Sequence, residues 1–378
     1  MTSGVRVSEL ALHGLRSYAA LELELPPGPN ILWGANAAGK TNLLEAIVLL
    51  SRGRSHRTSR DAEIVAWGAP FARAAGGIDV GTTRAALEVV VQGDGGPGAR
   101  KRVRIDGVPR RPAALGDLLR VVVFSPEDML LISGSPGLRR AEVDSLAAQV
   151  WPAYGRALST YGRAVQQRNG LLRAIAEGSA GRDELAFWDR LLVEEGGEIV
   201  RMRLELLDRL AAPLAAAHAE IAPGEPTLLL RYETNAPLDP TMDSGPADAL
   251  RRRLADVAEK EIWNGATLVG PHRDDVVFEL DRRPLESFAS RGQQRTAILA
   301  LKLAELDIVS HVDGRPPLLL LDDVFSELDE ERRAHLVRRV TVLPQAFVTS
   351  ATLEGIDPAL LAAATRWRVV PGAVTPDR

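Results

Sequence analysis

The chain has 378 residues, no cysteine and a formal net charge of −4. That length carries a full core and about two domains, and the missing cysteines exclude disulfides, thiolate zinc sites and a cysteine nucleophile, as expected of a cytoplasmic protein. No run of about 18 apolar residues exists to span a membrane, the N-terminus has no signal-peptide pattern, and any nucleic-acid surface has to be local, because the overall charge is slightly acidic.

Val5 to Leu12 and Leu21 to Leu25 read as strands joined by a turn at Gly14 to Tyr18; the second alternates leucine with Glu22 and Glu24. Asn30 to Trp33 is an apolar run fit for a buried strand. Gly34-Ala35-Asn36-Ala37-Ala38-Gly39-Lys40-Thr41 follows with the spacing G-x-x-x-x-G-K-T, and Leu43, Leu44, Ile47 and Leu50 continue at helical spacing. Strand, glycine-bounded loop and helix in that order make a phosphate cradle. Backbone N–H groups wrap the phosphates and the helix N-terminus adds partial positive charge. In such a cradle Lys40 reaches the β/γ oxygens of ATP and Thr41 ligates Mg²⁺. Only four of the 46 basic residues are lysine (Lys40, Lys101, Lys260 and Lys302), so a lysine kept where a compact ammonium is needed stands out.

Arg52 to Arg60 holds four arginines and no acid; it is either a solvated face or a phosphate contact. Residues 70 to 124 read as short strands and turns, with Asp106-Gly107 as a hairpin signal. Residues 100 to 111 carry Arg100, Lys101, Arg102, Arg104, Arg110 and Arg111 against the single acid Asp106, which suits a DNA contact or a charged edge strand that blocks unwanted pairing. Ser125-Pro126 and Ser135-Pro136 are helix starts. Apolar residues at helical spacing from Tyr154 to Ile175 and from Leu185 to Leu210 predict two long helices with a short link. At about 1.5 Å per residue such a hairpin is either an arm of roughly 40 Å or a plain helical subdomain. A strand is expected at 227–233, a polar link at 234–246 and a helix with Arg251-Arg252-Arg253 at 247–262.

From 268 the α/β texture returns. Leu318 to Leu321 runs into Asp322-Asp323, an apolar strand ending in carboxylates that places Asp322 beside bound Mg²⁺ and leaves Asp323 to orient the attacking water. Upstream, Ser290-Arg291-Gly292-Gln293 precedes an apolar helix from Thr296 to Ile308, with Ser290 as N-cap. The form S-x-G-Q resembles the signature motif of ABC-type ATPases, which meets the γ-phosphate of a nucleotide held by a second subunit, and Ser326-Glu327-Leu328-Asp329 resembles that class's D-loop.

Together the motifs resemble the RecF family of recombination mediator ATPases, related to SMC-type heads. The matching pieces are Leu15-Arg16-Ser17-Tyr18, Gly39 to Ile47, Gly53-Arg54-Ser55, Phe124 to Asp128, Gly270-Pro271-His272-Arg273-Asp274-Asp275, Ser290 to Thr296 and Asp322 to Asp329, in family order over nearly the whole chain. The resemblance implies an α/β fold: an ABC-type P-loop ATPase head, 1–134 and 265–378, with an inserted mainly helical second lobe, 135–264. It adds Arg16, Gly292 and Gln293 to the nucleotide-contacting residues and makes Asp323, Lys40 and Ser290 the catalytic set, with Ser290 acting in trans. It also implies an ATP-dependent homodimer that clamps DNA at gaps, a weak DNA-stimulated ATPase that releases it, and partnership with RecO and RecR in loading RecA, with a bearing on replication restart and the SOS response.

Two departures stand out. Ala37 occupies a loop position where the family usually has glycine; if it needs positive φ, alanine costs about 1 kcal/mol. Asp323 stands where most ABC ATPases have glutamate, which suits a slow switch. A transporter-type nucleotide-binding subunit is the first competing reading; it is disfavoured because the strand at 346–350 ends without a switch histidine. An SMC-like arm protein is the second, and the helical segment is too short for a long coiled coil.

Overall fold

Alternating burial organises the start of the chain. Strand β1 (Val5–Leu15) folds back on β2 (Tyr18–Glu24) through a tight turn in which Arg16 takes φ 52°. Strand β3 (Gly28–Trp33) leads into helix α1 (Lys40–Arg52). The chain returns through β4 (Phe71–Val80), β5 (Thr83–Gln92), β6 (Lys101–Ile105) and β7 (Val108–Arg110), which extend the first hairpin into a six-stranded antiparallel sheet ordered β2-β1-β4-β5-β6-β7. Asp106 and Gly107 close the β6–β7 hairpin at φ 51° and 76°, as the Asp-Gly signal required. At ten residues each, β4 and β5 are longer than the short strands expected there.

The computed structural model describes residues 4–93, 101–238 and 244–377; Arg100 of the second basic run and positions 239–243 of the polar link lie outside the described residues. The chain divides into two units, the first holding residues up to Asp128 and from Ile298, the second Met129–Ala297. The first contains β8 (Val121–Phe124). The second contains α2 (Leu130–Ser133), α3 (Pro136–Val150), α4 (Pro152–Ala176), α5 (Leu185–Ile221), β9 (Leu228–Glu233), α6 (Pro246–Asn264), β10 (Asp275–Leu280), β11 (Arg283–Pro284) and α7 (Leu285–Phe288). Helix α8 (Arg291–His311) starts five residues before the expected Thr296 and carries the chain back into the first unit. There follow β12 (Leu318–Asp322), α9 (Glu330–Thr341), β13 (Gln345–Ser350), α10 (Pro358–Ala363), β14 (Thr365–Val370) and β15 (Ala373–Pro376).

A second six-stranded sheet in the first unit has the order β15-β14-β3-β13-β12-β8, parallel from β14 to β8 with β15 antiparallel at the edge. Val121–Phe124 and Leu318–Asp322 are buried at every position, the pattern of parallel strands covered on both faces. Helix α1 lies in one core with residues of both sheets; Leu43 to Ser51 are buried without a break. Truncating Leu44 there would cost about 2–5 kcal/mol. The order β3-β13-β12 brings the ends of three parallel strands side by side, and Thr349 on the middle strand is in register with Leu32 on one side and Asp322 on the other.

In the second unit α4 and α5 pair as the expected helical hairpin, and α3, α6 and β9 pack against it. It is a packed body rather than a free arm. The expected return to the head at 265 is displaced to 298 in the structure, because β10 pairs with β9 and Arg139 on α3 grips Asp275 through both nitrogens of a fork. Among the described residues no helix is long and apolar enough to cross a membrane.

Candidate nucleotide-binding site

The phosphate loop joins β3 to α1 as its spacing required. Gly39, the residue before the helix, sits at φ 111°, and a Cβ there would stand 2.8 Å from both Ser17 Oγ and Tyr18 Oη. The Tyr18 hydroxyl donates to the Gly39 carbonyl at 3.1 Å, bracing the loop from the β1–β2 hairpin. No side chain caps α1 and no acid stands in its first turn, so the positive end of the helix is left for an anion. Gly34 and Ala38 are buried, whereas Ala35, Asn36 and Ala37 form an exposed crest closed by the Ala38 N–H donating to Ala35 O at 3.2 Å. Ala37 lies at φ 63°, so the position does require the left-handed region that alanine disfavours.

Lys40 is 7% exposed and its ammonium donates to the carbonyls of Gly34 at 2.6 Å and Ala35 at 3.0 Å. Burial holds its pKa below the ordinary lysine value, with Asp323 and then Asp322 pulling the other way. Both carboxylates are therefore within electrostatic reach of the lysine. Thr41 follows it on α1, half-buried. Asp322 ends β12, buried, and accepts from the Thr349 hydroxyl at 2.6 Å. The backbone turns sharply after it: Asp323 has φ 53° and donates its N–H to Thr349 Oγ1 at 2.8 Å. Thr349 was not singled out from the sequence, since only the strand order places it between loop and acids. No histidine stands at the end of β13.

Glu45 was also missed. It is 0% exposed inside α1 and receives Arg16 Nε at 2.8 Å, Arg16 Nη2 at 2.7 Å, the Ser55 hydroxyl and, at 3.5 Å, Arg57. Burial alone would raise its pKa, and the hydrogen bonds from Arg16 and Ser55 outweigh that and hold it below the usual carboxylate range. Arg16, expected at the nucleotide, thus braces α1 through Glu45 and gives Nη1 to the Glu63 carbonyl at 2.6 Å. Arg57 also reaches Asn42 Oδ1 at 3.1 Å, and Asn42 donates to Ser17 Oγ at 2.9 Å. The Leu15–Tyr18 turn, the start of α1 and the first arginine run are therefore one connected shell around the loop.

Ser290, Gly292 and Gln293 belong to the second unit. The Ser290 N–H donates to Gln293 Oε1 at 3.0 Å and the Gln293 N–H to Ser290 Oγ at 3.3 Å, a reciprocal cap at the start of α8. Ser290 and Gly292 are exposed there. In the D-loop-like segment Asp329 caps α9 by accepting the Arg332 N–H at 3.0 Å, and Ser326 Oγ donates to Asp323 O at 2.7 Å; the Glu327 side chain lies outside the described residues.

Gly270 to Asp275, which as a sequence showed only a polar turn, is the hub of a buried network in the second unit. Arg203, 2% exposed, donates to Pro271 O at 2.8 Å, Asp144 Oδ1 at 2.7 Å and Tyr232 Oη at 3.2 Å, and Tyr232 donates to Asp274 Oδ2 at 2.6 Å. Gly270 has φ 127°, and a Cβ on it would meet Tyr161 Oη at 2.2 Å. Pro271, His272 and Asp274 thus bond to residues of α5, α4 and β9.

A phosphate loop at the end of one parallel strand, a carboxylate pair at the end of another and a six-stranded antiparallel sheet packed in one core with α1 define an ABC-type P-loop ATPase head. The solved structure of an SMC head bound to the winged-helix domain of ScpA shares that fold, at TM-score 0.53 and 15% identity over 98% of this chain and 97% of that one. Residues 6–361 match the family RecF/RecN/SMC N terminal domain. The chain is 41% identical to the DNA replication and repair protein RecF of Chloroflexus aggregans, over 97% of this chain and 98% of that protein, and 36% identical to that of Halalkalibacterium halodurans, over 98% and 99%. It superposes at TM-score 0.90 and 29% identity on a solved structure of the recombination mediator protein RecF with ATPrS in the RecFOR pathway, covering 100% of this chain and 99% of that one. The chain belongs to the RecF family.

Proposed function

We propose that the protein is an ATP-dependent DNA-binding protein of recombinational repair. Two copies close on each other when ATP is bound and clamp DNA at junctions of single and double strand. The closed dimer, with RecR and RecO, helps load RecA, and slow hydrolysis lets it open; replication restart and the SOS response depend on that cycle. The observation that carries this reading is the electrostatic convergence of Lys40, Asp322 and Asp323 beyond the ends of β3 and β12, which flank β13 in one parallel sheet, in a chain similar over nearly its full length to RecF proteins.

The residues present fit Mg²⁺-ATP. The loop from Gly34 through Ala35, Asn36, Ala37, Ala38 and Gly39 offers its backbone N–H groups to the phosphates, and Lys40 leaves its two carbonyl partners for the β/γ oxygens. Thr41 and Asp322 would hold Mg²⁺, which when bound neutralises charge developing on the phosphates. Asp323 positions the attacking water. Ser290, Gly292 and Gln293 of one copy meet the nucleotide of the other, so hydrolysis requires both. The shorter acid at 323 keeps hydrolysis slow, which suits a clamp, and DNA stimulates it weakly.

Sedimentation with ATP, ADP or no nucleotide, each with and without gapped duplex, tests the reading. A dimer only with ATP, retained on DNA, is expected, and Lys40→Arg abolishes it. A protein that stays monomeric and ignores DNA at saturating Mg²⁺-ATP overturns the proposal.

A further inference from the structure

Two basic runs separate in sequence meet in the first unit. Lys101 Nζ donates to the Gly53 carbonyl at 2.7 Å and pairs with Asp61 at 2.9 Å, and Gly53 lies against Pro112, where an added Cβ would stand 2.8 Å from Pro112 Cβ. The end of α1 is thereby joined to the start of β6 and to the turn that follows β7. Cations of this joined surface fall into two groups. Arg57 is held by Asn42 and Glu45, Arg60 lies 3.9 Å from Glu63, Lys101 is held by Asp61, and Arg104 lies 3.3 Å from Glu88. Arg54, Arg102, Arg110 and Arg111 are exposed and pair with no carboxylate among the described residues. Val103 is opposite Arg110, so Arg110 stands on the Val103 face of the hairpin and Arg102 on the other, and the two border the sheet edge that β7 forms. The run on α6 differs: Arg251 pairs with Asp248, Arg252 reaches Ser244 at 3.3 Å, and Arg253 lies 3.9 Å from Asp256.

We propose that Arg54, Arg102, Arg110 and Arg111 form a contact surface for the sugar-phosphate backbone of duplex DNA, and that the Arg251–Arg253 run does not. The proposal rests on the reading that the protein binds DNA and says where. Guanidinium forks without acid partners are free to chelate phosphate oxygens, and each contact releases counterions. Neither 53–60 nor 101–112 contains Phe, Tyr or Trp. Single-strand platforms stack bases on such rings, so this surface fits a duplex, whose backbone alone it can grip.

The test is the salt dependence of binding to a duplex oligonucleotide by the full chain with ATP. In Arg110→Gln/Arg111→Gln and in Arg54→Gln/Arg102→Gln the slope of log affinity against log salt falls by about 0.9 for each arginine removed. Arg110→Lys/Arg111→Lys keeps most of it, and Arg251→Gln/Arg253→Gln leaves it unchanged. Thermal midpoints equal to wild type show that the exposed substitutions leave the fold intact. Unchanged slopes in both hairpin-side variants, while wild type binds duplex, overturn the surface and leave the proposed function standing. Slope loss only with a single strand overturns the duplex assignment, and an equal loss in the α6 variant overturns the distinction between runs. A wild type that binds no DNA in any nucleotide state overturns the functional reading itself.

Discussion

The Thr349 hydroxyl donates to Asp322 at 2.6 Å and accepts the Asp323 N–H at 2.8 Å, so one side chain on β13 holds the Asp322 carboxylate and the backbone of Asp323. Thr349→Val keeps the shape and removes the hydroxyl. A buried carboxylate oxygen then lacks its donor, at about 1–3 kcal/mol. ATP hydrolysis is expected to fall about 10- to 100-fold, as for other groups that orient a metal ligand. Thr349→Ser should recover most of it. Steady-state hydrolysis by both variants checks this, and wild-type turnover in the valine variant would remove Thr349 from the site.

Ala37 at φ 63° makes a second prediction. A non-glycine residue in the left-handed region costs about 1–2 kcal/mol, but Ala37→Gly also loosens the unfolded chain by about 0.4–1 kcal/mol. The relieved strain outweighs the added chain entropy by up to about 1 kcal/mol, so Ala37→Gly should leave the thermal midpoint equal or slightly raised and ATP affinity equal or modestly tighter. Ala37→Val places a branched Cβ in the same turn and should weaken ATP binding at least tenfold. Fluorescent-nucleotide titration separates these outcomes; equal affinity for alanine and valine would show that the loop tolerates another conformation.

Much of this site was legible because its parts are local. The G-x-x-x-x-G-K-T spacing, the strand before it and the four leucines before Asp322-Asp323 each state their geometry within about ten residues. Two further lysines are held by partners that the sequence does not show: Lys101 fastens Gly53 and Asp61, and buried Lys302 lies 3.5 Å from Asp128. What could not be read was any role assigned by a distant partner. Glu45 looks like an ordinary helix glutamate until the β1–β2 turn brings Arg16 to it from 29 residues away. Thr349 acquires its function from strand order alone, and Gly270 to Asp275 from Arg203, Tyr161 and Tyr232, which arrive on α5, α4 and β9. For the same reason the second unit reaches to 297: the pairing of β10 with β9 leaves no local mark in either strand.

Arg203 carries the third prediction. Its guanidinium is buried against Asp144, Tyr154, Tyr232 and the Pro271 carbonyl. Arg203→Met leaves Asp144 without its counter-charge and should cost about 3–5 kcal/mol of stability. Replacing both partners, Arg203→Met with Asp144→Leu, should cost less than the single change, since no orphaned charge remains. Urea unfolding of the variants decides it; a double variant worse than the sum of the two single variants would mean that the network is valued for packing rather than for charge.

His272 links the same network to pH. Its Nε2 faces the Thr267 carbonyl at 3.2 Å, which can only accept, so Nε2 carries the proton and Nδ1 accepts the Tyr161 hydroxyl at 2.7 Å. Burial first, then the cations Arg273, Arg140 and Arg168, push its pKa down to about 4 from 6.5. The folded form therefore binds fewer protons than the unfolded one between those values, so stability rises with pH across that window and is lost as pH falls from 6.5 towards 4. His56 in the first unit, also lowered to about 4 by burial and Arg52, acts in the same direction. Carboxylates such as Asp275, held below the ordinary 3.8 by Arg139 despite its burial, lose their contribution only at lower pH, whereas Asp274, raised by its burial, acts in the direction opposite to the histidines. Thermal midpoints between pH 7 and 5 should thus fall less for His272→Gln than for wild type. Identical slopes would mean that His272 is already charged in the folded protein and that Tyr161 does not donate to it.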